Sequence, residues 1–131
     1  MAQGCLSPHT SRCTLPRANI RAKWRGRQFA AAHKVAATQG LTLGAQHLLG
    51  ASRAIVPIEE ATLERSGEVT VDRSNLTAAV SYNTPYAVRQ HEDLSLRHDP
   101  GRQAKYLEGP LRRETRTITT IISRFIRQAY R

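Results

Sequence analysis

The chain has 131 residues, room for one domain with one modest core, and with two Phe, one Trp and four Tyr that core must be mainly aliphatic. Its net charge of +10 is unevenly placed: Arg12, Arg17, Arg21, Lys23, Arg25, Arg27, Lys34 and Arg53 all precede the first acidic residue, Glu59, and the remainder sets twelve basic against ten acidic residues. A basic leader on a near-neutral body points to an anionic partner. The two cysteines, Cys5 and Cys13, lack the four-ligand spacing of a zinc site and read as reduced thiols. No secretory h-region is visible, and the longest uncharged run, Val35 to Ser52, is too polar to span a bilayer, so a soluble, non-membrane protein is expected.

Residues 1–20 mix Gly4, Pro8 and Pro16 with Ser, Thr and Arg without periodicity, and read as a flexible basic N-terminal arm. A single α+β domain is expected over 21–131. From Arg21 to about Ile55 the alanines favour helix, with Phe29, Ala32, Ala36, Leu43, Leu48 and Ala51 near helical spacing. Gly40 and Gly44 allow two readings: a break into two helices, or a small surface on which another backbone closes. Val56-Pro57 ends the helix, Ile58 to Ser66 reads as a helical turn, and Gly67 stops it.

Glu68 to Asp72 and Leu76 to Tyr82 alternate around a turn at Arg73-Ser74-Asn75, predicting an antiparallel hairpin. Val69 and Val71 share one face of it, as do Leu76, Ala78, Val80 and Tyr82. Thr84-Pro85 predicts a helix opening with Thr as N-cap and a short helix to about Glu92. Residues 93–104 read as a polar loop around Asp99-Pro100-Gly101, in which Leu94 and Leu96 suit a brief strand.

The last helix opens at Pro110. Leu111, Thr115, Ile118, Ile122, Phe125 and Ala129 form its apolar stripe, while Arg113, Arg116, Thr120, Arg124, Arg127 and Arg131 lie on the opposite side. That ladder is either a solvated face or a contact for phosphates or an acidic neighbour.

Catalytic and metal chemistry find little footing. His91, Glu92, Asp93, His98 and Asp99 lie close in sequence without HxH, HxxxH or HExxH spacing, and neither a nucleophile elbow nor a phosphate-binding glycine loop is present. The residues argue against an enzyme and imply no cofactor. A small basic DNA-binding protein that contacts the phosphate backbone without sequence specificity is the rival reading. Arg21, Lys23, Arg25 and Arg27 would then follow the backbone and Trp24 would stack, although no helix-turn-helix pair is visible.

Three segments occur in a familiar order. Val56-Pro57-Ile58-Glu59-Glu60-Ala61-Thr62-Leu63-Glu64-Arg65-Ser66 is similar to the segment that follows the long first helix in the neck or minor-capsid (head–tail connector) proteins of tailed bacteriophages. Tyr82-Asn83-Thr84-Pro85-Tyr86-Ala87, followed by Gln90-His91-Glu92, resembles that family's second landmark, and Ala104 to Leu111 resembles its third. The resemblance covers residues 25–131. It implies an α+β subunit in which a long N-terminal helix and a C-terminal amphipathic helix pack on a small antiparallel sheet.

It also implies a non-catalytic place in a ring of identical subunits between the capsid portal complex and the tail. Partners would then be other connector and tail proteins, with DNA in the lumen contacted non-specifically. The location would be the virion neck, reached from the host cytoplasm during assembly. Contacts between subunits are expected around His91, Asp93, Arg97 and Asp99, and contacts to an anionic surface at Arg21, Lys23, Arg25, Arg27, Arg113, Arg116, Arg124 and Arg127. One departure stands out. Ala61 replaces the glycine that many relatives carry, which puts a turn of positive φ there in doubt.

Overall fold

A computed structural model describes residues 25–57 and 61–130. The predicted arm 1–20, both cysteines, Arg21, Lys23, Trp24, the segment 58–60 and Arg131 lie outside the described residues.

The chain order is α1 (Gly26–Arg53), α2 (Thr62–Arg65), β1 (Gly67–Asp72), β2 (Thr77–Tyr82), α3 (Ala87–Glu92) and α4 (Glu108–Gln128). The class is α+β. β1 and β2 form a two-stranded antiparallel sheet in the register Gly67↔Tyr82 to Asp72↔Thr77, α1 lies on that hairpin, and α4 packs chiefly along α1. A lone hairpin is marginal in water, so the cover that α1 gives it is what makes it stable. Among the described residues, no helix is long and apolar enough to cross a membrane.

α1 is one unbroken helix through Gly40 and Gly44. Of the two readings open for those glycines, close approach holds. A Cβ on Gly40 would sit 3.0 Å from the Ile122 Cα, and one on Gly44 would sit 3.1 Å from the Ile118 Cγ2. The stripe that α1 buries is Ala36, Ala37, Gly40, Gly44, Ala45, Leu49 and Ser52, nearly all small. Phe29, Ala32 and Leu43, placed on the stripe by spacing, are instead exposed: Ala32 and Leu43 fall outside the buried side at 100° per residue, and Phe29 sits at the end of the helix pair against Tyr130.

The two helices run antiparallel. Gly40 meets Ile122, Gly44 meets Ile118, and His47 reaches Glu114 at 3.0 Å. At the far end Phe29 and His33 pack on the Tyr130 ring, with centroids 5.2 and 5.6 Å away. On α4 the predicted stripe holds at Ile118, Ile122, Phe125 and Ala129, all half-buried, but Leu111 and Thr115 are exposed. In the first turns, the residues turned inward are Pro110, which is buried, and Glu114, which is engaged by His47.

The remaining core lies at the C-terminal end of α1. Val56, Leu63, Ala87 and Tyr106 are buried together, with Ile55, Tyr82 and Leu107 packed around them. Burying side chains of this size contributes about 1.5–3 kcal/mol each for the larger ones. The Tyr106 hydroxyl donates to the Ala87 carbonyl at 2.9 Å, and its ring meets Tyr82 edge-on at 5.2 Å. Buried Ser52 shares a 2.8 Å hydrogen bond with the Tyr82 hydroxyl. These hydroxyls enter the core paired, as burial requires, whereas the buried Nε2 of His91, whose ring packs on Tyr106, has no hydrogen-bond partner among the described residues.

Three local expectations are corrected. Thr84 does not cap α3: its carbonyl accepts from the Ala87 N–H in a turn, and the helix starts two residues after Pro85 with Tyr86 at the N-cap position. Leu94 and Leu96 form no strand: they lie in the turn and bend that follow α3. Leu76 leaves the hairpin face for the turn, at φ 52°. Asp72 organises that turn by accepting from the Ser74 hydroxyl and backbone N–H and from the side chain and backbone N–H of Asn75, and these bonds, the Ser74 hydroxyl first, hold its carboxyl down at about 2.

Ala61 takes the left-handed conformation at φ 56° despite its Cβ. The turn that a glycine would make without strain is made here by alanine, at a cost of about 1–2 kcal/mol.

Candidate functional site

Two surfaces carry the residues singled out by sequence: the segment from α3 to the start of α4, and the outer face of α4.

The loop after α3 is tied down at both ends. Asp93 accepts from the Ser95 N–H at 3.0 Å and from its hydroxyl at 2.6 Å, contacts that lower the Asp93 pKa. Asp99-Pro100-Gly101-Arg102 closes a turn, with the Arg102 N–H on the Asp99 carbonyl at 2.9 Å and Gly101 at φ 83°, the pattern of a type II turn. The turn aims Arg102 at the end of α1. Its Nη1 donates to the carbonyls of Arg53, Ala54 and Val56 at 3.0, 3.0 and 3.1 Å. Those carbonyls have no later turn of helix to accept from, so one guanidinium caps the C-terminus of α1. The Gln103 N–H adds a bond to the Ile55 carbonyl at 3.1 Å.

A row of alternating charges then joins α3 to α4. The His91 Nδ1 meets Glu92 at 2.8 Å, Glu92 pairs with Lys105, Lys105 lies 3.6 Å from Glu108, and Glu108 holds Arg112 at 2.5 Å. The Lys105 ammonium lowers the Glu92 pKa first, with His91 second, and Glu92 in turn raises that of Lys105. These groups are substantially exposed apart from His91, so the row orients more than it stabilises. The His91 ring stands edge-on to Tyr106 at 5.0 Å.

The four residues predicted to meet a neighbouring subunit therefore separate into two kinds. His91 and Asp93 are engaged within the chain. Arg97 and Asp99 are exposed, and their charged groups make no ion pair among the described residues. Sequence reasoning missed two features beside them. Val88 and Leu94 are 74% and 77% exposed, more than any other large apolar side chain among the described residues. In addition, an open apolar groove of ≈ 460 Å³ runs between α1, β2 and α4, lined by Leu41, Leu48, Val80, Leu107, Leu111 and Ile118. The exposed Leu111 faces this groove.

On the other surface, Arg113, Arg116, Arg124 and Arg127 are all exposed and make no ion pair among the described residues. Glu114 engages His47 on the packed side, and this contact, ahead of that with Thr117, lowers its pKa. Arg25 and Arg27 are exposed at the start of α1, where the macrodipole is positive and the first turn carries no acid, so they do not serve the helix. Among the described residues no group of three His, Cys, Asp or Glu side chains converges to hold a metal ion.

Comparison with family models, curated proteins and solved structures finds no match to this chain.

Proposed function

We propose that the chain is a structural subunit of the head–tail connector, or neck, of a tailed bacteriophage, without catalytic activity, working as one copy in a ring between the portal complex and the tail. The observation that carries this reading is where the three landmark segments go. Val56 and Leu63 come from the first, Tyr82 and Ala87 from the second, Tyr106 and Leu107 from the third, and all six pack in one core cluster. Motifs scattered over about fifty residues of sequence thus form a single structural unit, as expected of segments kept together by one fold. The positive φ at Ala61 supports it further, since the first landmark keeps its turn without its glycine.

The surface suits a ring subunit as well. A thin core, a hairpin with both edges unpaired among the described residues, an open apolar groove and the exposed Val88 and Leu94 leave apolar and backbone groups that neighbours would cover. Arg97 and Asp99, exposed on the loop that Arg102 anchors, supply polar contacts at the rim of such an interface.

The test is the pair of substitutions Val88→Glu and Leu94→Glu. With both side chains largely in solvent, the monomer should keep its helical circular dichroism and its melting temperature. Incorporation into connector assemblies should be lost. Normal assembly of the double variant would show that this surface is not an interface.

A further inference from the structure

The outer face of α4 has no role in the packing of the described residues. Arg113, Arg116, Arg124 and Arg127 fall within an arc of about 80° and along about 21 Å of helix, at 100° and 1.5 Å per residue. Between them on this arc lies Thr120, exposed and polar, whose hydroxyl donates back to the Arg116 carbonyl. The two acids of α4 lie off the arc. Glu108 holds Arg112 and Lys105, and Glu114 holds His47. Four fixed positive charges thus stand in a row on a rigid rod, with no acidic residue among them.

We infer that this face binds the phosphate backbone of duplex DNA, without reading its sequence. Three partner classes compete for a cationic row, and the face itself discriminates between them. A membrane surface requires apolar side chains that enter the acyl boundary beside the cations, and the arc has none. A protein interface has an apolar core within a polar rim, and this face is polar throughout. Phosphate recognition needs neither. It runs on charge and counterion release, and guanidinium is the side chain that grips two phosphate oxygens at once. The row spans about six base-pair steps at 3.4 Å per step, long enough for each arginine to meet a separate phosphate. Arginine can also grip guanine edges, so equal binding to duplexes of unrelated sequence is what marks contact with the backbone. This inference rests on α4 alone and stands whether or not the chain belongs to a ring.

The experiment measures binding of the full chain to two fluorescein-labelled duplexes of unrelated sequence by fluorescence anisotropy, over a range of salt concentrations. The variant Arg113→Gln/Arg116→Gln/Arg124→Gln/Arg127→Gln is compared with the parent, as is the version with Lys at all four positions. Each phosphate contact contributes about −0.9 to the slope of log K against log salt, so the Gln variant should lose about 3–4 units of slope, equally on both duplexes. The Lys variant should keep most of it. Reading the change in slope separates α4 from the basic residues upstream of Glu59, which are the same in all three proteins. An unchanged slope in a Gln variant of normal helicity overturns the inference. So does binding to polyglutamate with the same arginine dependence but not to duplex, which would assign the face to an acidic protein.

Discussion

The closeness of α1 and α4 makes a sharp prediction about three glycines of one helix. Replacing glycine by alanine in a helix interior gains about 0.8–1 kcal/mol of intrinsic propensity, and this gain is common to Gly40, Gly44 and Gly50. Only the surroundings differ. At Gly50 a new Cβ meets nothing within 4 Å, so Gly50→Ala should show the full gain. At Gly44 the contact is a side-chain methyl of Ile118 at 3.1 Å, which can shift. At Gly40 the new carbon stands 3.0 Å from the Ile122 Cα and 3.3 Å from both the Ile122 carbonyl and the Phe125 Cβ, so backbone must move. Carbon atoms prefer about 3.5–4.0 Å, and forcing helices apart to that distance costs about 1–3 kcal/mol. Gly40→Ala should therefore be destabilised by up to about 2 kcal/mol, Gly44→Ala should lie near the parent, and Gly50→Ala should be stabilised. Urea unfolding followed by circular dichroism, with unchanged m values, reads all three. Equal stabilisation of Gly40→Ala and Gly50→Ala would refute the close packing of the helix pair.

Ala61→Gly should stabilise the chain by about 1 kcal/mol in the same assay, because it relieves the left-handed alanine by more than it adds chain entropy to the unfolded state. Arg102→Met keeps much of the aliphatic stem but leaves three carbonyls of the α1 terminus without their donor, and should cost about 1–3 kcal/mol. Arg97→Met, on an exposed neighbour with no ion pair among the described residues, should cost nothing measurable. Burial pushes the Tyr106 phenol up to about 12, and desolvation also raises Tyr82. A raised folded pKa gives stability that is whole below the unfolded value near 10 and is lost as pH rises through 12. Unfolding should therefore set in across that alkaline window, followed by phenolate absorbance, and Tyr106→Phe should make it shallower.

Much of the architecture was legible because local chemistry decided it. The hairpin followed from alternation around Asp72 and its turn, the last helix from a four–three repeat, and the turn at Asp99 from Pro and Gly in their usual order. Features missed were those decided by partners distant in sequence. Gly40-x-x-x-Gly44 reads the same whether the helix kinks or another backbone closes on it, and only Ile122 settles which. Positive φ at Ala61, Leu76 and Lys105 leaves no mark in residue types that seldom adopt it. Arg102 looked like any loop arginine, whereas its role depends on the end of α1, about fifty residues earlier. The polar loop 93–104 is for that reason anchored, and of the four residues singled out for subunit contacts only Arg97 and Asp99 remain outward and without an ion pair among the described residues. The arginine row, by contrast, was legible from helical spacing alone, since exposure needs no partner.

The neck assignment is tested most directly by mass spectrometry of phage particles purified through a density gradient from the organism that encodes the chain. The account predicts this polypeptide in tailed particles at a few copies relative to the major capsid protein, and in particles arrested before tail joining if it belongs to the head side. Its absence from all particle fractions, while it is abundant in the surrounding lysate, would contradict the account.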